Sequence, residues 1–112
     1  MKQLYLDMQN DNQILKSIKN TISSIDPEAS VILYGSFARG QATVESDIDL
    51  IVLVDKDPLG PREKRKYKYP LYDIEIETGR IISPLIISRN DWETRHKISP
   101  FYENITKEGI IL

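Results

Sequence analysis

The sequence contains no cysteine. A disulfide framework, a thiolate zinc site and a cysteine nucleophile are therefore excluded. Its single histidine, His96, excludes any metal site that needs two imidazoles. No apolar run approaches the roughly 18 residues that a membrane-spanning helix needs. The first ten residues, Met1 to Asn10, are too polar for a secretory signal peptide, so a cytoplasmic protein is expected. Neither sign of charge dominates. Fifteen basic and 17 acidic residues leave a net charge of −2, which makes no demand for a nucleic-acid or membrane partner.

What remains is the balance of an ordinary globular chain, 40% hydrophobic and 29% charged over 112 residues. This length predicts one domain over residues 1–112, large enough to bury a core without disulfides or a structural metal. Ile14, Leu15, Ile18, Ile22 and Ile25 recur at helical spacing and predict a first amphipathic helix, ended by Asp26-Pro27 because the residue before proline avoids the helical region. Val31 to Tyr34 reads as a short buried strand. Gly35 to Gly40 reads as a turn leading into a short helix, and Gln41 to Ser46 as a polar loop. Ile48 to Val54, apolar on both faces, reads as an internal strand.

Arg62 to Thr78 carries two patterns. Tyr72, Ile74 and Ile76 alternate with acids as in a strand, while Tyr67, Leu71, Ile74 and Thr78 fit one helix face with Gly79 as its C-cap. The helix is the preferred reading. Ile81 to Ile87 predicts a strand in which Pro84 points to an edge or a bulge. Ser88 to Trp92 begins a turn or short helix, and Pro100 to Lys107 a last helix stopped by Gly109. Strands alternating with helices predict an α/β or α+β fold with helices packed on a sheet.

One stretch carries chemistry: Gly35-Ser36-Phe37-Ala38-Arg39-Gly40, then Ser46-Asp47-Ile48-Asp49-Leu50. Asp47 and Asp49 stand two apart at the start of a strand, so both carboxylates face one side, roughly 7 Å apart along the backbone. Like charges so close repel, and a hard divalent cation between them removes the repulsion. Oxygen-only ligands favour Mg²⁺ or Mn²⁺, the usual setting for phosphoryl or nucleotidyl transfer. Gly35 lets the backbone approach a ligand closely. Ser36 offers a hydroxyl, and a helix start there would offer free N–H groups to phosphate. Arg39 can pair with a phosphate. A Walker A loop is excluded, because Gln41 and Ala42 stand where its Lys and Ser/Thr belong.

The pattern Gly35-Ser36-x-x-Arg39-Gly40 followed by Ser46-Asp47-x-Asp49-Leu50 resembles the signature of the DNA polymerase β-like nucleotidyltransferase superfamily, most of all its minimal nucleotidyltransferases. The resemblance implies a small mixed β-sheet flanked by helices, mainly on one face. It implies that Gly35 and Ser36 hold the triphosphate of an NTP and that Asp47 and Asp49 bind metal ions. The reaction would move a nucleoside monophosphate to an acceptor and release pyrophosphate.

Members of this superfamily carry a third carboxylate on a neighbouring strand. If Arg80 to Ile87 is that strand, its place falls near Ser83, where no acid stands. If Tyr72 to Glu77 is, then Asp73, Glu75 and Glu77 share one face and any of them serves. A missing third acid predicts weakened catalysis, or a nucleotide- or partner-binding module. Larger relatives add a helical domain for the acceptor. Here the resemblance implies completion by a second copy or another protein, such as the small helical HEPN-type partners that some minimal nucleotidyltransferases modify as antitoxins.

Lesser features read as structural. The basic run Arg62, Lys64, Arg65, Lys66 and Lys68 is expected to be a solvated helix face, with the interleaved Tyr67, Tyr69 and Tyr72 packing on the sheet. His96 is expected on the surface, Trp92 as an anchor, and the apolar tail Ile110-Ile111-Leu112 under cover of this chain or a partner.

Overall fold

The computed structural model describes residues 2–43 and 45–112, with side chains from residue 11 onward. Val44, within the loop expected from Gln41 to Ser46, lies outside the described residues. Among the described residues four helices and four strands follow one another as α1 (Lys2–Ile25), β1 (Ser30–Tyr34), β2 (Ile48–Val54), α2 (Pro61–Thr78), β3 (Ile82–Ser88), α3 (Arg89–Thr94), α4 (Pro100–Glu108) and β4 (Ile110–Ile111). The strands form one mixed sheet in the order β3-β2-β1-β4. β1 runs antiparallel to β2 and β4, while β2 and β3, joined through α2, run parallel.

The doubtful segment is a helix. Tyr67, Leu71 and Ile74, spaced by four and three, are buried against the sheet, whereas Tyr72 and Ile76 of the alternating pattern point outward. Pro61 opens α2 at a position where its missing N–H costs nothing. Gly79 closes it at φ 73°, donating its N–H to the Glu75 carbonyl. α1 ends at Ile25 as expected. The Asp26 carboxylate then accepts from the Glu28 N–H at 3.1 Å and from the Tyr67 hydroxyl at 2.8 Å, joining the end of α1 to α2. Burial and the bond to Asp26 push the Tyr67 phenol up to about 12.

β2 is the central strand, and every residue but Asp49 is buried. Its even-numbered residues Ile48, Leu50, Val52 and Val54 join Val31 and Leu33 of β1 beneath α1 and α2, with Ile14, Ile18, Ile22, Leu71 and Ile74 above them. Each fully buried Ile or Leu of this layer contributes about 1.5–3 kcal/mol. The odd-numbered Ile51 and Leu53 lie on the other face with Ile32, under Trp92 of α3 and Ile105 of α4. The helices are thus less one-sided than expected: the two long ones cover one face, and two short ones cover part of the other.

β3 is an edge strand, as Pro84 requires. The Ile82 N–H, which points away from β2, donates to the Glu75 carboxylate at 2.8 Å. The apolar tail is divided. Leu112 donates its N–H to Val31 and packs against the larger core, while Ile110 and Ile111 pair with β1 and stay exposed. No helix among the described residues is long and apolar enough to cross a membrane.

Candidate active site

Alternation along β2 sends Asp49 to the face that α1 and α2 do not cover. Sheet register completes a row on that face. Asp49 pairs with Tyr34 on β1 and with Ser83 on β3, about 4.8 Å to either side. Asp47, just before β2, is exposed, and Asp49 is half-buried. Burial and the neighbouring Asp47 raise the Asp49 carboxyl above its ordinary value, and the charge of Arg39 only partly offsets this. Burial and Asp49 likewise raise the Tyr34 phenol. Phe101 of α4 meets Tyr34 edge-on, with ring centroids 5.4 Å apart.

Gly35 follows β1 directly, at φ 75°. A Cβ built there would stand 2.5 Å from Asp49 Oδ2, so only glycine lets the turn lie against the carboxylate. The short helix expected after Gly35 is absent. Residues 35–40 form consecutive turns, closed by Arg39 N–H to the Gly35 carbonyl at 3.2 Å and Gln41 N–H to the Ser36 carbonyl at 2.9 Å. Positive φ at Gly35 and Gly40 breaks the helical run at both ends. The N–H groups of Ser36, Phe37 and Ala38 have no backbone acceptor among the described residues, so the turn keeps a cluster of free donors without a helix.

Arg39 is exposed and occupied. It lies 3.5 Å from the Glu108 carboxylate at the end of α4, and its Nε donates to Gln41 at 3.2 Å. The loop that returns to Asp47 is braced from outside. Arg80, just after α2, pairs with the Asp11 carboxylate of α1, donates to the carbonyls of Thr43 at 3.3 Å and Ser46 at 3.5 Å, and lies 5.1 Å over the Phe37 ring. Ile48 N–H to the Ile81 carbonyl, at 2.8 Å, fastens the start of β2 to the same segment.

Gly35, Ser36, Asp47 and Asp49 therefore converge at one corner of the open sheet face, with Arg39 at its rim. Asp73, Glu75 and Glu77 do not join them. They are on α2, because that segment is a helix and not a strand, and the Glu75 carboxylate is engaged at the edge of β3 by the Ile82 N–H. Ser83 occupies the β3 position opposite Asp49, and among the described residues no group of three metal-ligating side chains is present. The basic run is also remote, at the opposite end of α2 from the turn that leads to β3. Three residues of this corner escaped sequence reading. Tyr34 and Glu108 reach it through strand register and a helix end, and Arg80 reaches its loop through a side chain that bonds carbonyls 37 and 34 positions away. None of these leaves a local pattern.

A mixed sheet with a glycine-serine turn after one strand and an Asp-x-Asp at the head of the next defines a nucleotidyltransferase. The family model of the nucleotidyltransferase domain matches residues 15–112, and the chain belongs to that family, enzymes that transfer nucleotides. Proteins of Methanocaldococcus jannaschii named "Putative protein adenylyltransferase" are among its relatives. One is 40% identical over 85 residues, covering 69% of this chain and 79% of its own. A second is 27% identical over 100 residues, covering 88% and 90%. A third is 27% identical over 105 residues, covering 87% and 95%.

Proposed function

We propose that this chain uses the corner of Gly35, Ser36, Asp47 and Asp49 to transfer a nucleoside monophosphate from an NTP in a Mg²⁺-dependent reaction. The observation that carries the reading is the contact of the Gly35 turn with the Asp49 carboxylate, which sets free N–H donors beside two acids.

The donor set fits a divalent cation. Neither Asp47 nor Asp49 has an ion pair or side-chain hydrogen bond among the described residues, and burial, with Asp47 beside it, raises the Asp49 carboxyl. Mg²⁺ or Mn²⁺ bound to these oxygens supplies charge neutralisation and polarisation of the phosphoryl group. The chain itself holds the triphosphate. Free N–H groups of residues 36–38 and the Ser36 hydroxyl donate to phosphate oxygens, and Arg39 adds a charge once it turns from Glu108. In the transfer an acceptor hydroxyl oxygen bonds to the α-phosphorus and loses its proton to water, the bond to pyrophosphate breaks, and pyrophosphate leaves with the electron pair.

The names of the relatives favour ATP as donor and a protein as acceptor. A HEPN-type helical partner or a second copy of the chain fits an acceptor that approaches the open face. The cytoplasm supplies NTP and Mg²⁺ for this chemistry.

A second reading rests on Ser83. With a hydroxyl opposite Asp49, no third carboxylate among the described residues joins the two acids to take the acceptor proton, which favours nucleotide binding with weakened transfer. The test is thermal melting with ATP, GTP, CTP and UTP, with and without Mg²⁺, on wild type and on Asp47→Asn/Asp49→Asn. A ligand at 100 times its dissociation constant adds about 2.7 kcal/mol. A Mg²⁺-dependent shift absent from the double variant supports the site and names the base. No shift with any nucleotide rejects it. Label transferred from α-phosphate-labelled ATP to protein then supports transfer, and binding without transfer supports the second reading.

A further inference from the structure

We propose that the outer face of α2 is a self-association surface on which a second copy of the chain packs its own α2 antiparallel. Tyr69, Tyr72 and Ile76 are spaced by three and four residues and lie opposite the buried Tyr67, Leu71 and Ile74. They are 58%, 39% and 80% exposed, and the two tyrosine rings are 6.3 Å apart. These three form an apolar stripe on solvent-facing helix, and the exposed Arg65, four residues before Tyr69, continues the same face toward the start of α2.

The charges around the stripe identify its occupant. The first half of α2 is basic, with Arg62 and Lys66 beside the stripe. The second half is acidic, with Asp73 and Glu77 on the same flank. For an isolated helix this order is unfavourable. Positive charge sits at the positive end of the helix dipole, and negative charge at the negative end. Arg62 and Lys66 are like charges four residues apart, as are Asp73 and Glu77, and such pairs destabilise a helix. None of the four has an ion-pair partner among the described residues.

A second α2 running the other way resolves each conflict. Arg62 and Glu77 are equidistant from the point between Tyr69 and Pro70, and so are Lys66 and Asp73. When two antiparallel helices meet about a two-fold axis, equivalent flanks face each other. Arg62 then meets Glu77 of the second copy, and Lys66 meets its Asp73. Symmetry repeats both contacts, the tyrosines close over the axis, and the helix dipoles oppose. Parallel packing would set like charge against like. Antiparallel order is thus built into the sequence of a single helix, which an unrelated partner does not require. An 18-residue helix is about 27 Å long, so the interface is small and its dimer weak. Asp49 faces the other side of the sheet, and both candidate sites stay open in the pair.

Sedimentation of the full chain, up to about 1 mM protein, tests the proposal. Wild type is expected to be in monomer–dimer equilibrium at about 0.05 M salt and to dissociate at about 0.5 M. Arg62→Glu/Lys66→Glu and Asp73→Lys/Glu77→Lys should each be monomeric alone and should form a mixed dimer when combined. Both changes correct the charge order along the helix, so melting temperatures should not fall. In wild type, concentration should shift the NMR signals of Tyr69, Tyr72 and Ile76, and not those of Asp49 or Gly35. A wild type monomeric at about 1 mM overturns the proposal. So does a dimer that survives in both charge-reversed variants, or a failure of the two to combine.

Discussion

Gly35 lies against Asp49 so closely that a methyl group at Gly35 would stand 2.5 Å from the carboxylate oxygen. The last residue of one strand, Tyr34, pairs with Asp49 in the next, and the turn at φ 75° folds back across it. The backbone N–H groups of the turn and the carboxylate proposed to bind metal are thereby brought together by one backbone conformation.

Gly35→Ala should damage both partners. The left-handed conformation alone costs about 1–2 kcal/mol for a residue with a Cβ, and relief of the clash displaces Asp49. Melting should show lower stability together with loss of the Mg²⁺-NTP shift. An alanine variant that keeps that shift would show that the contact is not needed for binding.

Asp49→Asn should separate binding from stability. The Asp49 carboxyl is raised by burial and by Asp47, so its charged form is disfavoured on folding. Any stability tied to its neutral form is fully present below the unfolded value and is lost as pH rises through the folded one. The asparagine variant escapes that loss. At pH 7 its melting temperature should equal or exceed that of wild type while Mg²⁺-dependent nucleotide binding disappears. Melting curves across pH 3–7 check the sign, and a large stability loss at pH 7 would make Asp49 a structural residue.

Glu108→Gln should release Arg39. The pair is half-exposed at 3.5 Å, and such pairs are worth about 0.2–1 kcal/mol. If triphosphate must draw Arg39 away from Glu108, nucleotide affinity should rise, by at most about fivefold. Titration calorimetry reads this directly, and a weaker complex would mean that Glu108 itself supports binding.

Arg80→Met should loosen the loop between Thr43 and Ser46 and leave the Asp11 carboxylate unpaired. A hydrogen bond to a charged group is worth about 1.5–3 kcal/mol, so stability should fall by that order. Arg80→Lys should restore only part of it, because one ammonium cannot span Asp11 and two carbonyls as a planar guanidinium does. Hydrogen exchange at residues 43–48 distinguishes the three proteins.

Much of this chain was legible without coordinates. The stripe from Ile14 to Ile25 predicted α1, dense Ile, Leu and Val marked β2 as internal, and Pro84 pointed to an edge or a bulge in β3, of which the edge is observed. Tyr72 to Glu77 fitted strand and helix alike, and the preferred helix is the one observed. The helix expected after Gly35 was an error of local reading, since glycines with positive φ at both ends allow only turns.

The sequence by itself determined that Asp47 and Asp49 stand two apart at the head of an internal strand, that a glycine-serine turn precedes them, and that α2 is charged in two blocks. Periods of two and 3.6 residues act over a few neighbours, so they are written locally. The position near Ser83 followed from reading residues 80–87 as the neighbouring strand, and the register puts it opposite Asp49; only the tertiary structure decided that Tyr34 flanks Asp49, that Glu108 holds Arg39 and that Arg80 braces the loop. These contacts depend on which strands pair and in what register. A one-residue slip would send every side chain to the opposite face, and burial of the whole sheet selects the register.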